Sequence, residues 1–106
     1  MDRQGFTERD WKLFRSKIAD WQEAFMDRLN NEYIELLSAV ANPSDKFWQL
    51  EERIRKDQKR AGVQLRMSRS QLIPNLLSLI NNGVITRKDL EGFSEELLNT
   101  INIYRM

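Results

Sequence analysis

The sequence predicts an all-α protein that folds as a single domain of four helices over residues 1–106. Two observations lead to this fold class. Apolar residues recur at steps of three and four along most of the chain, the spacing that places side chains on one face of an α-helix. Only four glycines and two prolines interrupt the sequence, and they fall where helices are expected to stop or turn.

The composition is typical of a soluble globular domain. The chain has 17 lysines and arginines against 16 aspartates and glutamates, and 41% of its residues are hydrophobic. A chain of this length buries more than about 60% of its unfolded surface, so it can fold without disulfides. The first ten residues lack the apolar stretch of a secretory signal, and no apolar run approaches the ~20 residues of a membrane span. We therefore expect a cytoplasmic protein that does not contact a membrane.

The first helix is predicted over residues 8–41. It opens with Thr7 and Asp10, a pattern close to a capping box. It ends at Asn42-Pro43 because proline disfavours the α conformation in the residue before it. One face carries apolar side chains at a mean spacing of about 3.6 residues: Trp11, Phe14, Ile18, Trp21, Phe25, Leu29, Tyr33, Leu36 and Val40.

The length of this helix poses a geometric problem. About 33 helical residues at 1.5 Å each make a rod of roughly 50 Å, whereas a compact chain of this size has a radius of gyration of only about 13 Å. Either the helix breaks at Asn30-Asn31, because both residues are poor helix formers, or one end protrudes. A protruding end would carry Trp11 and Phe14 and would need a partner to bury them.

The second helix is predicted over residues 45–61. Phe47, Leu50 and Ile54 form its apolar stripe. The six residues that follow Ile54 include no apolar one, so we expect this basic end to face water or a polar partner. Gly62 is expected to end the helix in a left-handed conformation.

The third and fourth helices are predicted over residues 70–82 and 87–104, as a hairpin that packs on the first helix. The third helix is apolar on nearly all sides, which is typical of a central, buried helix, and Pro74 is expected in its first turn. Thr86 and Asp89 repeat the capping pattern before the fourth helix. The linker between the two helices is short, so they are expected to run antiparallel.

The residue types that most catalysts use are absent or unsuitably placed. The chain contains no cysteine and no histidine, so it lacks a thiolate, the commonest general base and the commonest metal ligands. Carboxylates such as Glu32 and Glu35 lie on the polar face of the first helix, where ion pairs on a solvated surface are the ordinary explanation. A serine–lysine dyad stays open, but no serine is favoured. We expect no enzyme activity, cofactor, metal or small-molecule substrate.

A basic cluster lies between residues 53 and 69. Seven positive side chains against one negative one give it a local charge of +6 in a chain of net charge +1. Such residues suit the C-terminal end of a helix dipole, and they also suit an anionic partner, either nucleic acid or an acidic protein surface. The cluster consists of Arg53, Arg55, Lys56, Lys59, Arg60, Arg66 and Arg69.

Part of this cluster is compatible with a specific mode of DNA binding. Residues 63–67 alternate in polarity as a strand does, and two helices follow, an order that resembles the ribbon-helix-helix proteins. In that arrangement Gln64 and Arg66 would read DNA across a dimer, while the apolar residues beside them would face the core. The proline in the third helix and the long helical N-terminal half argue against it.

Aromatic residues are candidates for a protein interface as well as for the core. Those on the predicted stripes are expected to pack in the core: Trp21, Phe25, Tyr33, Phe93 and Tyr104. Four others lie near helix starts, where coverage by the core is smallest, and tryptophan is enriched at binding hot spots. The candidate interface residues are therefore Trp11, Phe14, Phe47 and Trp48.

Two sets of motifs resemble known groups of proteins. Residues 75–98 follow the pattern L-x-x-L-x-x-x-G-[IV]-I-T from Leu76 to Thr86, which resembles a short C-terminal helical hairpin and implies oligomerisation or docking. A wider set is similar to small uncharacterised helical proteins of Firmicutes, often in mobile elements: Phe6–Trp11, Ser44–Trp48, Ser68–Ser70 and Gly83–Thr86. This resemblance implies an accessory protein and carries over no catalytic residue.

The sequence therefore favours a protein-interaction module, accessory, regulatory or inhibitory in role, that self-associates or docks on a larger protein. The alternative is a nucleic-acid-binding regulator that uses residues 53–69. The first hypothesis predicts a homodimer or one stoichiometric protein partner. The second predicts retention of DNA or RNA that falls steeply with salt.

Overall fold

The computed structural model of the chain describes residues 5–105. Over these residues the chain forms four α-helices and no strand, so the prediction of an all-α, four-helix protein is confirmed. Residues 1–4 and 106 of the predicted domain lie outside the described residues. The helices are α1 (Glu8–Ser38), α2 (Pro43–Asp57), α3 (Leu72–Asn81) and α4 (Glu95–Arg105), with short 3₁₀ helices at Arg69–Gln71 and Arg87–Leu90.

α1 runs without interruption through Asn30 and Asn31, so the break considered there does not occur. The predicted capping box begins the helix: the Thr7 hydroxyl accepts from the Asp10 N–H at 3.1 Å, and the Asp10 carboxylate accepts from the Thr7 N–H at 2.8 Å. The 31 residues make a rod of roughly 46 Å, and the molecule measures 60 × 27 × 22 Å. One end of α1 therefore protrudes.

The protruding end is the C-terminal one, and not the end that carries Trp11 and Phe14. The N-terminal half of α1 packs with α3 and α4, and their shared core includes both of these aromatic residues. α2 folds back antiparallel against the C-terminal half of α1 after a turn over residues 39–42. We call residues 26–58 the arm, and the part built from the N-terminal half of α1, α3 and α4 the base.

The core of the base is one cluster with α3 at its centre. Leu72, Leu76 and Leu79 of α3 are fully buried, which agrees with the buried helix that the sequence predicts. α3 and α4 pack on each other, as predicted, but residues 82–94, which include a 3₁₀ helix, connect them instead of the short linker that the sequence suggested. The members of the cluster are Trp11, Phe14, Ile18, Ala61, Leu72, Ile73, Leu76, Leu79, Ile85, Leu90, Phe93, Leu97 and Ile101.

α4 is shorter than predicted, because the capping box before it begins a 3₁₀ helix. Gly92 then adopts a φ of +94°, a left-handed conformation that carries the chain away from a helical path. Ser94 begins the true helix, since its hydroxyl accepts a hydrogen bond from the Leu97 N–H at 3.1 Å. The helix therefore starts at Glu95 rather than at residue 87.

α2 spans residues 43–57 instead of the predicted 45–61. Pro43 occupies its first turn, where a missing N–H breaks no helical hydrogen bond. The basic end of α2 faces water at Arg55, Lys56 and Lys59, as predicted, although the backbone beyond Asp57 turns back against α1. Gln22 Nε2 donates to the carbonyl of Ala61 at 3.2 Å and so holds this part of the chain on α1. We call residues 58–62 the return segment.

Gly62 serves this return segment in a way that the sequence did not indicate. It is buried, and a Cβ placed on it would lie 2.1 Å from the ring of Phe25. The residue is a glycine because the backbone passes directly over that ring, and not because a helix ends there in a left-handed conformation.

The predicted apolar stripe of α1 is confirmed in the middle of the helix but is wrong at its C-terminal end. Phe25 and Leu29 are buried. Val40, predicted on the same face, is fully exposed because α1 ends at Ser38 and Val40 lies in the turn. Tyr104, predicted in the core from α4, is also exposed.

Candidate protein interface

The arm carries exposed apolar side chains on both of its helices. Ile34 and Leu37 of α1 expose 60% and 45% of their surface, and Phe47 and Trp48 of α2 expose 62% and 63%. Ile54, near the C-terminal end of α2, is exposed as well. Single exposed apolar residues are ordinary on a protein surface, whereas a contiguous group marks a site of interaction.

These side chains form two rows, one on each helix. On α2, Phe47, Leu50 and Ile54 follow one another at steps of three and four residues, which keeps them on one helix face. On α1, Ile34 and Leu37 are three residues apart and share a face for the same reason.

The two rows lie on the same side of the arm. Asn30 precedes Ile34 by about one helical turn, and it lines a cavity of about 300 Å³ together with Ile54. On the other side of the arm, Leu36 shares a cavity with polar residues of α2 that include Arg53. We call the apolar side the arm face; it consists of Ile34, Leu37, Phe47, Leu50 and Ile54, with Trp48 at its edge.

The arm face points away from the core of the base. Ile34 follows Phe25 by nine residues, about two and a half helical turns, so the two side chains leave α1 on opposite sides. Phe25 is buried beneath the return segment at Gly62. No part of residues 5–105 covers the opposite side, as the exposure of Ile34 and Leu37 shows.

The two aromatic residues contribute a large share of the exposed apolar area. The ring centroids of Phe47 and Trp48 are 5.0 Å apart with an interplanar angle of 86°, an edge-to-face pair that holds both rings in place. A large aromatic side chain covers about 150–250 Å², so this pair alone exposes roughly 200 Å² or more. Beside it, a cavity of about 400 Å³ runs between Phe47 and Ile54.

The structure divides the predicted interface residues into two pairs. Phe47 and Trp48 are exposed on the arm, as an interface requires. Trp11 and Phe14 are only 8% and 0% exposed and stack on each other at 6.1 Å within the core, so their assignment to an interface is wrong. The N-terminal half of α1 is the half that the base covers, which explains their burial.

The apolar stripe predicted from the sequence does not include Ile34 and Leu37. Each directly follows a member of the predicted stripe, Tyr33 and Leu36, and so lies about 100° around the helix from it. Adjacent apolar pairs of this kind indicate a second apolar face on a helix, although Leu13 and Phe14 form such a pair in the base half of α1 as well.

A buried polar cluster joins the two helices of the arm near the base. Asp57 is 5% exposed; its carboxylate accepts a hydrogen bond from the Tyr33 hydroxyl at 2.6 Å and pairs with Arg60 and Arg53 at 3.4 and 3.7 Å. Burial, together with the hydrogen bond to Asp57, raises the pKa of Tyr33 to about 12. The buried charge is therefore compensated, and α2 is held on α1 at this level.

The basic cluster is largely neutralised by carboxylates. Arg53 pairs with Glu32 at 2.7 Å, and this contact raises the pKa of the Arg53 guanidinium. Arg69 pairs with Glu8 through two nitrogens, which lowers the pKa of the Glu8 carboxyl. Within the described chain, five of the seven cations are paired in this way: Arg53, Arg55, Lys56, Arg60 and Arg69.

The structure also separates the members of the cluster. Arg69 contacts Glu8 at the start of α1, whereas Arg53 contacts Glu32 in the arm. Glu32 follows Glu8 by 24 positions along α1, which corresponds to about 36 Å. Arg60 is half-buried with its guanidinium 4.7 Å from the centre of the Phe25 ring. The cluster is not one continuous basic surface.

The segment with a strand-like pattern forms no strand in the structure of residues 5–105: Val63 lies in a turn, and residues 64–67 have no regular secondary structure. Gln64 and Arg66 are exposed and Leu65 is half-buried, as the alternation predicts. Met67, expected to face the core, is 45% exposed. The carbonyl of Arg66 accepts a hydrogen bond from the buried Asn75 side chain at 3.0 Å, which ties this segment to α3.

A separate groove opens on the base between α3 and α4. It has a volume of about 660 Å³ and is mainly apolar, with Phe6, Ile73 and Tyr104 among its walls. Its charged lining residue, Arg69, is already paired with Glu8. Among residues 5–105, no group of three or more acidic, histidine or cysteine side chains is placed to hold a metal ion.

Comparison of the chain with known protein families, curated proteins and solved structures finds no match. In the described part of the chain, no helix combines the length and the hydrophobicity that crossing a membrane requires. Together, the fold and the site define a helical protein whose two-helix arm exposes a row of apolar side chains on each helix.

Proposed function

We propose that this chain is a protein-interaction module without catalytic activity and that the arm face is its docking surface. The observation that supports this proposal is the exposure of two apolar rows on the arm face, the side of the arm that points away from the core of the base. Two packed helices form a single layer, and a helical domain is stabilised when a second layer covers its remaining apolar side. A partner helix or helix pair supplies that layer.

Energetic considerations agree with this role. Burial of apolar surface contributes about 25 cal/mol per Å², and aromatic side chains at the centre of an interface dominate its affinity. Phe47 lines the cavity along α2, and Trp48 packs edge-to-face on Phe47 at the edge of the arm face. We infer an accessory role, as the resemblance to small proteins of mobile elements implies.

Nucleic-acid binding through residues 53–69 has less support. Five of the seven cations in the described chain have carboxylate partners, and binding of phosphate would have to compete with those ion pairs. Lys59 and Arg66 are exposed, but two cations supply a small part of the charge that phosphate contacts usually require.

The test is affinity purification of the tagged chain from its source cells, with quantification of the proteins and nucleic acids retained. The test variant is Phe47→Ala with Trp48→Ala. The matched control is Ile103→Ala with Tyr104→Ala, since these neighbours on α4 are exposed to 69% and 68%. If the proposal is correct, the wild type and the control variant retain a stoichiometric protein, which is either a second copy of this chain or another protein. The Phe47→Ala, Trp48→Ala variant loses it.

Two results would contradict the proposal. One is equal protein recovery by the wild type and the arm variant. The other is recovery of nucleic acid alone, lost when Arg55, Lys59 and Arg66 are replaced by alanine, which would support the alternative.

A further inference from the structure

We propose that α2 detaches from α1 and returns as one unit while the base stays folded, and that polar contacts between the two helices set how often it detaches. The two rows of the arm face lie on different helices, so the face is complete only while α2 is in place. This consequence for docking rests on the proposed function, whereas the detachment itself does not.

The first argument is the small amount of apolar burial in the outer part of the arm. Leu29, the last buried apolar residue of α1, is 3% exposed. Among residues 30–57, all of which the structure describes, the buried residue is Asp57, and Leu36 and Leu50 are only half-buried. The base, by contrast, has a continuous core of buried apolar side chains. A region with few buried apolar contacts opens at a lower free energy than the core of the same protein.

The second argument is that α2 has little stability of its own. It has 15 residues, and isolated helices up to about 15 residues long are marginal in water, because most helical stability in proteins comes from packing. Its ion pairs between residues four positions apart, Arg55 with Glu51 and Lys56 with Glu52, stabilise a helix only slightly. A detached α2 therefore loses its helical hydrogen bonds, and its amide hydrogens then exchange with solvent.

The return segment limits the movement at the base end of α2. Gln22 holds the carbonyl of Ala61 on α1, and the buried Gly62 lies directly against the Phe25 ring. These contacts belong to the part of α1 that is packed in or next to the base. They stay in place when α2 detaches, so the change is confined to the arm.

Two polar contacts hold the base-proximal end of α2 on α1. The Tyr33 hydroxyl donates to Asp57 at 2.6 Å, and the Arg53 guanidinium pairs with Glu32 at 2.7 Å. Asp57 is 5% exposed, and a hydrogen bond to a buried charged group contributes more than an exposed ion pair does. We call these four residues the latch, and the bond between Tyr33 and Asp57 is its main contact.

The tip of the arm adds a weaker contact. Lys46 Nζ donates to the carbonyl of Leu37 at 2.9 Å, at an exposed position. Such a contact contributes little, because water competes for both groups and the lysine side chain loses conformational freedom. The latch therefore controls the detachment of α2.

The first experiment measures hydrogen exchange in the isolated chain at low protein concentration, with each rate compared with that of an unstructured peptide. The amides of α2 are expected to exchange roughly 10-fold or more faster than those of α3. Ile101→Val removes one methyl group from the core of the base, where Ile101 is 1% exposed. It is expected to raise the exchange rate of α3 roughly 5-fold and to leave that of α2 unchanged, because α2 detaches without unfolding the base.

The second experiment tests the latch by the same measurement. Tyr33→Phe removes the hydroxyl that Asp57 accepts from, and is expected to raise the exchange rate of α2 roughly 10-fold. Tyr104→Phe is the matched control, since it removes the same hydroxyl from a side chain of α4 that is 68% exposed. It is expected to leave the exchange rate of α2 unchanged.

Different results overturn the two parts of the proposal. Equal exchange of α2 and α3 in the wild type, or an equal increase of both in Ile101→Val, would mean that α2 opens only when the whole chain unfolds. An unchanged rate for α2 in Tyr33→Phe, or the same increase in Tyr104→Phe, would overturn the latch.

These measurements are independent of the docking function, because neither of them involves a partner. If α2 does not open separately, the loss of a stoichiometric protein by the Phe47→Ala, Trp48→Ala variant still supports the arm face as a docking surface. If no partner is recovered, faster exchange of α2 in the wild type and in Tyr33→Phe still supports the detachment.

Discussion

The carboxylate of Asp10 accepts two hydrogen bonds from Ser94, one from its backbone N–H at 2.8 Å and one from its hydroxyl at 2.6 Å. The two residues are 84 positions apart, so this contact joins the start of α1 to the start of α4. Asp10 is only 1% exposed and also bonds to the N–H of Thr7. This contact places the N-terminal half of α1 in the base and leaves its other half to form the arm.

Replacement of Asp10 by alanine is expected to destabilise the fold by about 2–4 kcal/mol, because it removes a cap and leaves the N–H and hydroxyl of the half-buried Ser94 without their acceptor. Urea unfolding followed by circular dichroism measures the change. Asp20→Ala, at an exposed position of the same helix, is the control and is expected to change stability by less than about 0.5 kcal/mol. Equal effects of the two changes would contradict the structural role of Asp10.

Because of the Asp10 carboxylate, the free energy of unfolding depends on pH in the acidic range. Burial acts to raise the pKa of Asp10, but the hydrogen bonds from Ser94 and Thr7 outweigh it and lower the pKa below the ordinary 3.8. The unfolded state therefore binds a proton at a higher pH than the folded state does. This contribution to stability is complete above pH 3.8 and is lost as pH falls through the lower pKa of the folded state. Unfolding measured between neutral and strongly acidic pH should show a smaller acid-dependent loss in Asp10→Asn than in the wild type.

Tyr33 makes the free energy of unfolding depend on pH in the alkaline range, with the opposite sign. Its pKa is raised from 10.0 to about 12 by burial and by the hydrogen bond to Asp57, so the unfolded state ionises first. The contribution is complete below pH 10.0 and is lost as pH rises towards about 12. Tyr33→Phe should remove this alkaline loss and, because Asp57 loses a buried donor, cost about 1–2 kcal/mol at neutral pH. An unchanged alkaline unfolding profile in Tyr33→Phe would contradict the assignment.

Aromatic residues of the core and of the arm face should respond differently to truncation. Phe14→Ala empties a fully buried site and is expected to cost about 3–5 kcal/mol. Phe47→Ala removes a side chain that is 62% exposed and is expected to cost less than about 1 kcal/mol in the isolated chain. Urea unfolding at low protein concentration, where association contributes little, compares the two. Similar losses would mean that the arm face is already covered within the monomer.

Gly62 should not tolerate a side chain, although its backbone needs no left-handed conformation. The added Cβ of Gly62→Ala would lie 2.1 Å from the Phe25 ring, and relief of that overlap is expected to cost about 1–3 kcal/mol. Gly83→Ala is the comparison, because its Cβ meets nothing within 4 Å but its φ is +71°. Phe25→Leu should partly rescue Gly62→Ala and leave Gly83→Ala unchanged. Thermal unfolding of the single and double variants measures this coupling.

The candidate site was only half visible in the sequence. Phe47 and Trp48 could be selected because they lie near a helix start and are large and aromatic. Ile34 and Leu37 were overlooked, since the stripe from Trp11 onward describes the side of α1 that faces its own chain. Trp11 and Phe14 were assigned to the surface because the helix was judged too long to cover, without a means to tell which end would be covered.

By itself, the sequence determined the helices and the side of α1 that is buried at Phe25 and Leu29. These features follow from interactions over three or four residues, such as the capping box of Thr7 and Asp10, which are encoded locally. Only the tertiary structure decided which half of α1 protrudes and how the cations are paired, because those depend on contacts such as Arg53 with Glu32 and Arg69 with Glu8, 21 and 61 residues apart. Such contacts leave no periodic signal in the chain, and they form only once the helices have packed.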